Sequence, residues 1–168
     1  MTKDKLIEDI IASEWRMLDL VENIGRRASC QDDYTTFRAM RLSQFETWDE
    51  AVLLNYWSDH QAAALCGHNL VERKYAYMMR YTAPEYYESE LAPYLPVVTA
   101  EKEALIDSIM QIYMAWYREA RSRWPNFAMR GRPADEDESF DMTPVEVYMR
   151  GELMSYSEET VSYTHLRA

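Results

Sequence analysis

Apolar residues return every three or four positions through most of this chain, and each such stretch is preceded by a residue suited to capping a helix. That rhythm suits α-helices and disfavours strands, whose side chains alternate with a period of two. Glycine supports the same reading by its scarcity. Four Gly and six Pro in 168 residues are too few for a turn-rich β-sandwich or barrel, and no glycine-rich phosphate loop is present. The expectation is an all-α fold: a single-domain helical bundle of five to seven helices with two irregular loops. Residues 1–161 are expected to form that domain. The last residues, VSYTHLRA, fit the pattern poorly and resemble translated cloning adapter. Residues 162–168 are therefore expected to be a non-native tail, in which His165 carries no functional weight.

Charge narrows the partners. Lys and Arg number 18 against 29 Asp and Glu, a formal charge of −11. An acidic surface argues against nucleic-acid phosphates and against an anionic membrane. No apolar run approaches the roughly 20 residues of a membrane span, and the start, MTKDKLIEDII, lacks a secretory leader pattern. Two cysteines, Cys30 and Cys66, are too few for a disulfide framework and are expected as free thiols in a reducing cytoplasm. Eleven Met and 13 Tyr fit a helical core filled by Met and rimmed by Tyr, or an adaptable Tyr-rimmed pocket.

The first helix is expected over Lys3 to Asn23, with Gly25 as its terminating glycine. After the turn GRRASCQDD, Asp32 or Asp33 can cap a helix from Tyr34 to Phe45. Thr47-Trp48-Asp49-Glu50 reads as a capping box opening a segment that runs to Met79, with a kink near Ser58. Pro84, Pro93 and Pro96 forbid a long helix between Tyr81 and Val98. A helix opens at Thr99 with an uncharged apolar arc, and Pro125 stops it. Asn126 to Met142 is a loop carrying the acidic run DEDESFD, which lacks the ligand order of an EF-hand. Thr143-Pro144-Val145-Glu146 then opens a last helix, to about Tyr156.

The informative residues are polar ones on apolar faces. Glu14 lies four after Ile10, three before Met17, and seven from both Ile7 and Val21. A buried carboxylate needs a partner or a cavity. Arg41 and Gln44 interrupt the arc of Tyr34, Phe37, Met40 and Phe45 on the next helix. A short turn makes the two helices antiparallel neighbours, so a Glu14–Arg41 pair satisfies both. His60 shares a face with Tyr56 and Trp57. In the intervening turn, Cys30 precedes a helix start and stands near Arg26 and Arg27. These features favour thiolate, while Asp32 and Asp33 oppose it. Cys30, Cys66, His60 and His68 lack zinc-site spacing, so no metal site is assigned.

The stretch NIGRRASCQDDYTTFRAMRLSQFETW (residues 23–48), with GHNLVERKYAYMMRYTAPEYY (67–87) and TPVEVYMRGELMSYSEET (143–160), resembles a bacterial family of unknown function. Its marks are a GRASCQDD-type turn and an MRxSQ helix. Members carry two glycines where this chain has Gly25-Arg26. The resemblance implies one cytoplasmic domain and brings no activity or cofactor with it.

Two functions compete. In one, the chain is a small-molecule enzyme or ligand-binding domain. Arg41, with Gln44, Arg26, Arg27 and Tyr56, would hold a small anionic metabolite. Glu14, Cys30 and His60 would be the catalytic groups, as acid/base, nucleophile and base. In the other, the chain is a non-enzymatic protein-interaction module whose inward polar groups only fix helix packing. Cofactor and oligomeric state are not legible in the sequence.

Overall fold

The structure, a computed structural model, describes residues 2–23, 26–128, 130–134 and 142–167. It is all-α, with no strand among the described residues. The longer helices are α1 (Lys3–Asp19), α2 (Tyr34–Glu46), α3 (Glu50–Leu65), α4 (Leu70–Thr82), α5 (Ala100–Arg123), α6 (Val145–Ser155) and α7 (Glu158–Arg167). Packing gathers the chain into two compact units, residues 1–72 and 73–168.

In the first unit α1 packs against both α2 and α3. Its face carries Leu6, Ile7, Ile10, Ile11, Met17 and Leu18, all buried, and meets Phe45 of α2 and Val52 and Leu53 of α3 in the core. Short polar side chains fix the helix starts by accepting from backbone amides. Thr2 accepts from Lys5, Asp33 from Thr36, Asp49 from Val52 and Asn69 from Glu72.

Helix α1 ends at Asp19, four residues short of the expected Asn23. Side chains from the following turn take its terminal carbonyls. Gln31 Nε2 donates to Leu18 O and Val21 O, and Arg27 Nη1 donates to Asp19 O. The C-cap is Leu20, and Gly25, the expected terminating glycine, lies outside the described residues. At the next boundary the cap is Asp49 rather than Thr47, whose hydroxyl instead donates to Gln44 O. No kink occurs at Ser58, which donates to Leu54 O inside an unbroken α3. The break falls at Gly67, at φ +68°, with His68 N bonded back to Ala63 O. Only glycine takes that left-handed turn without strain.

In the second unit α5 packs against α6 and α7. Its buried stripe is Lys102, Ile106, Ile109, Met110 and Met114, while Trp116 is exposed. The sequence expectation of an uncharged arc is therefore corrected. Lys102 Nζ donates to Met154 O and Tyr156 O, filling carbonyls at the end of α6. Helix α6 starts without a side-chain cap, because Val145 N and Glu146 N donate to the carbonyls of Pro133 and Ala134. Gly151 sits where α6 comes against Lys74 and Met78 of α4. Between Ala83 and Val98 the chain makes only short helical turns, as the prolines require. Tyr77 OH donates to Pro96 O and anchors that segment, and burial pushes the phenol up to about 12. The acidic run, residues 135–141, lies outside the described residues. Helix α7 is continuous through residues 162–167, and Val161 on it is fully buried.

Candidate functional site

Glu14 and Arg41 meet in the interior of the first unit. Glu14 is 3% exposed and Arg41 8%. Arg41 Nε donates to Glu14 Oε2 and Nη2 to Oε1, both at 2.5 Å, the two-pronged geometry for which a guanidinium is suited. Tyr56 OH, from α3, donates to the same Oε1 at 2.6 Å. The carboxylate of α1 thus takes hydrogen bonds from both helices packed on it. Arg41 also lies over the Phe45 ring, 4.6 Å from its centroid, and its Nη1 donates to Gln44 Oε1 at 2.7 Å.

The burial of Arg41 follows from how α2 sits. Its expected apolar arc included Tyr34 and Met40, yet these are 41% and 62% exposed while Arg41 is buried. Trp15 of α1 covers the outer side of α2, edge-on to Tyr34 at 5.1 Å and tilted against Phe37 at 5.2 Å. The arc therefore splits between an outer aromatic contact and an inner one at Phe45.

His60 completes the centre. It is 1% exposed, its Nδ1 is 2.9 Å from Ser13 Oγ, and its ring meets the Tyr56 ring at 4.6 Å, edge to face. Trp57 stacks near it at 6.2 Å. Burial pushes the imidazole below its usual 6.5. Glu14 opposes that shift and Arg41 adds to it, so the ring is neutral at neutral pH. Among the described residues, His60 Nε2 is buried without a hydrogen-bond partner.

The structure brings Glu14, Arg41, Gln44, Tyr56 and His60 together. It does not bring the turn residues into the same hydrogen-bonded cluster. Cys30 is an exposed free thiol, and His60, the histidine offered as a base, is bonded to Ser13. Arg26 is exposed. Arg27 pairs with Asp19 and Asp32 and donates to Gln31 O, which ties the turn to α1. Gln31, 2% exposed, is the organising residue. Its Nε2 donates to Leu18 O and Val21 O, while its Oε1 accepts from Asn23 Nδ2 and Ala28 N. All four hydrogen-bonding positions of the amide are filled.

Sequence reasoning missed a second buried centre, in the other unit. Glu152 is 2% exposed. Its Oε2 accepts from Lys74 Nζ at 2.6 Å and its Oε1 from Tyr156 OH at 2.7 Å. Lys74 also rests on the Tyr148 ring at 3.6 Å. The signal was present. Lys74 lies four after Leu70 and three before Tyr77, and Glu152 lies seven after Val145.

No group of three or more His, Cys, Asp or Glu side chains that could hold a metal ion occurs among the described residues. Nor does any described helix have the length and apolarity to cross a membrane. No curated protein and no solved structure matches the chain. The DUF4125 family of proteins of unknown function does match, over residues 4–166, and the chain belongs to that family.

Proposed function

We propose that residues 1–72 form a binding unit for a small anionic molecule, with Arg41 as the cation that holds it and Glu14, Gln44, Tyr56 and His60 as the surrounding polar groups. The observation that carries this reading is His60 Nε2, a polar atom inside a well-bonded centre with no partner among the described residues. Such atoms are rare in folded proteins because each one forfeits a hydrogen bond it had in water. An anion reaching Arg41 must share the guanidinium with Glu14 or displace it. Binding is therefore weak for simple anions and selective for those that make further contacts.

The test is thermal unfolding of the full chain with acetate, malonate and phosphate at matched ionic strength. A ligand that binds only the folded state stabilises it by about 2.7 kcal/mol at a hundredfold excess over its Kd. A melting temperature that rises with at least one anion, and rises less in His60→Gln, supports the reading. No rise beyond that given by sodium chloride refutes it.

One observation favours the other reading, in which the cluster only fixes helix packing. Glu14 is already bonded by Arg41 twice and by Tyr56 once. In that case no anion acts, and Glu14 and Arg41 matter to stability alone.

A further inference from the structure

The same centre contains a contact that decides what polarity of ligand it accepts. Ser13 precedes Glu14 on α1, and its hydroxyl lies 2.9 Å from His60 Nδ1. A serine inside a helix commonly donates to the carbonyl one turn back. Among the described residues, the Ser13 hydroxyl has no partner except His60. Either member of this pair can donate: the hydroxyl to a bare Nδ1, or Nδ1–H to the hydroxyl oxygen. A neutral imidazole that accepts at Nδ1 carries its proton at Nε2. The ring lies edge to face with Tyr56 and stacked near Trp57. With the Ser13 hydroxyl donating, Nε2–H is a buried donor without a partner among the described residues. The charged groups acting on the ring are Glu14 and Arg16 from α1, Arg41 from α2 and Asp59 from α3, and none of them bonds to Nε2.

We propose that His60 Nε2–H is the specificity-determining contact of this site, selecting a ligand that presents an acceptor oxygen of a carboxylate, with Ser13 as the positioning residue that sets the tautomer. The proposal rests on the reading of residues 1–72 as a binding unit. A carboxylate suits the imidazole N–H and the positive charge of Arg41, whose fork it would have to share with Glu14. An ammonium group would bring a donor to a donor and a cation to a cation, and is rejected.

The test is nitrogen NMR of the full chain labelled with ¹⁵N-histidine. Three histidines are present, and His60→Gln identifies the His60 signals by their loss. The Nε2–H tautomer is expected to exceed the Nδ1–H tautomer by roughly tenfold, because only that form gives the Ser13 hydrogen an acceptor within the protein. Ser13→Ala is expected to collapse that ratio and Ser13→Thr to restore it, which a purely packing role for Ser13 would not do. Acetate is expected to move the Nε2 signal, and methylammonium chloride to leave it in place. A His60 found as the Nδ1–H tautomer overturns the inference, whatever the thermal test of binding shows. An Nε2 signal that acetate leaves unmoved, in a protein that acetate stabilises, also overturns it and leaves binding itself standing. If no anion stabilises the protein, the binding reading fails, and this inference falls with it.

Discussion

Replacing Arg41 by Met removes the cation while keeping most of the side-chain volume that lies on Phe45. Glu14 is then left with one donor, Tyr56 OH, where it had three hydrogen bonds. The carboxylate is 3% exposed, so water does not replace the lost pair without opening the helix contact. Two unit charges about 4 Å apart at an effective dielectric near 20 interact by about 4 kcal/mol. Breaking a buried pair by removing one partner costs about 3–5 kcal/mol. The two estimates agree. For a chain of this length each kcal/mol lowers the melting temperature by about 2–4 °C, so the expected fall is about 6–20 °C. Urea unfolding followed by circular dichroism measures the loss as a lower midpoint at unchanged slope. The double replacement Glu14→Leu with Arg41→Met removes the stranded charge as well, and is expected to recover most of the loss, since apolar substitutes for a buried pair are often neutral. A loss below about 1 kcal/mol in Arg41→Met, the value of an exposed pair, refutes the claim that burial governs this interaction. So does strict additivity of the two replacements.

Three further outcomes follow from the geometry. A Cβ on Gly151 would stand 2.4 Å from Met78 Cγ and 2.8 Å from the Lys74 carbonyl oxygen. Gly151→Ala therefore destabilises by about 1–3 kcal/mol of overpacking, outweighing a propensity gain of about 1 kcal/mol, and a raised melting temperature would count against the close approach. Gln31→Ala leaves two carbonyls of the α1 end and one amide without their side-chain partner, at a cost of at least about 2 kcal/mol by urea unfolding. An unchanged midpoint there would mean that water caps α1 equally well. His60 is held below its usual 6.5 by burial, so the unfolded chain takes up the proton first as pH falls. The wild type therefore loses stability relative to His60→Gln by about 1.4 kcal/mol per pH unit, starting near pH 6.5 and ending at the lower folded value. Unfolding free energies of the two proteins that differ by the same amount at pH 7 and pH 5.5 contradict the shift.

The helical class was legible because capping residues and apolar spacing agree over nearly every segment. Glu14 and Arg41 were legible because each interrupts an arc on helices joined by a short turn, and one pairing satisfies both. The boundaries were less so, and the reason is tertiary. Nothing local ends α1 at Asp19. The amide of Gln31, 12 positions onward, takes its carbonyls. Thr47 and Asp49 are both acceptable caps, and which one serves depends on where Phe45 and Val52 must reach the core. Lys102 escaped notice because it lies in the first turn of α5, where a lysine looks like a solvated end residue. Its partners are carbonyls more than fifty positions away. Arg27 next to Cys30 suggested an activated thiol, but the guanidinium is committed to Asp19 and Asp32.

The two buried centres provide an internal comparison that bears on function. Each consists of a glutamate, a cation and a tyrosine hydroxyl: Glu14 with Arg41 and Tyr56, and Glu152 with Lys74 and Tyr156. In each the carboxylate draws donors from elsewhere in its own unit, as expected of a group that pins packed elements in register. Both centres therefore answer the demands of packing, and a buried carboxylate by itself does not mark a site. What separates them is His60. The first centre adds a neutral imidazole with one nitrogen bonded to Ser13 and the other unpartnered, whereas neither Lys74 nor Tyr156 beside Glu152 has a buried polar atom without a hydrogen-bond partner. A packing role accounts for everything that the two centres share and gives no reason for the unpartnered nitrogen. The comparison yields an asymmetric expectation. Tyr156→Phe and Tyr56→Phe each lose one hydrogen bond to a buried carboxylate and fall in stability by about 1.5–3 kcal/mol. Only Tyr56→Phe also changes the response of the melting temperature to acetate, because only Tyr56 touches both Glu14 and His60. Equal losses with no difference in anion response would assign both centres to packing and remove the ground for a ligand in either.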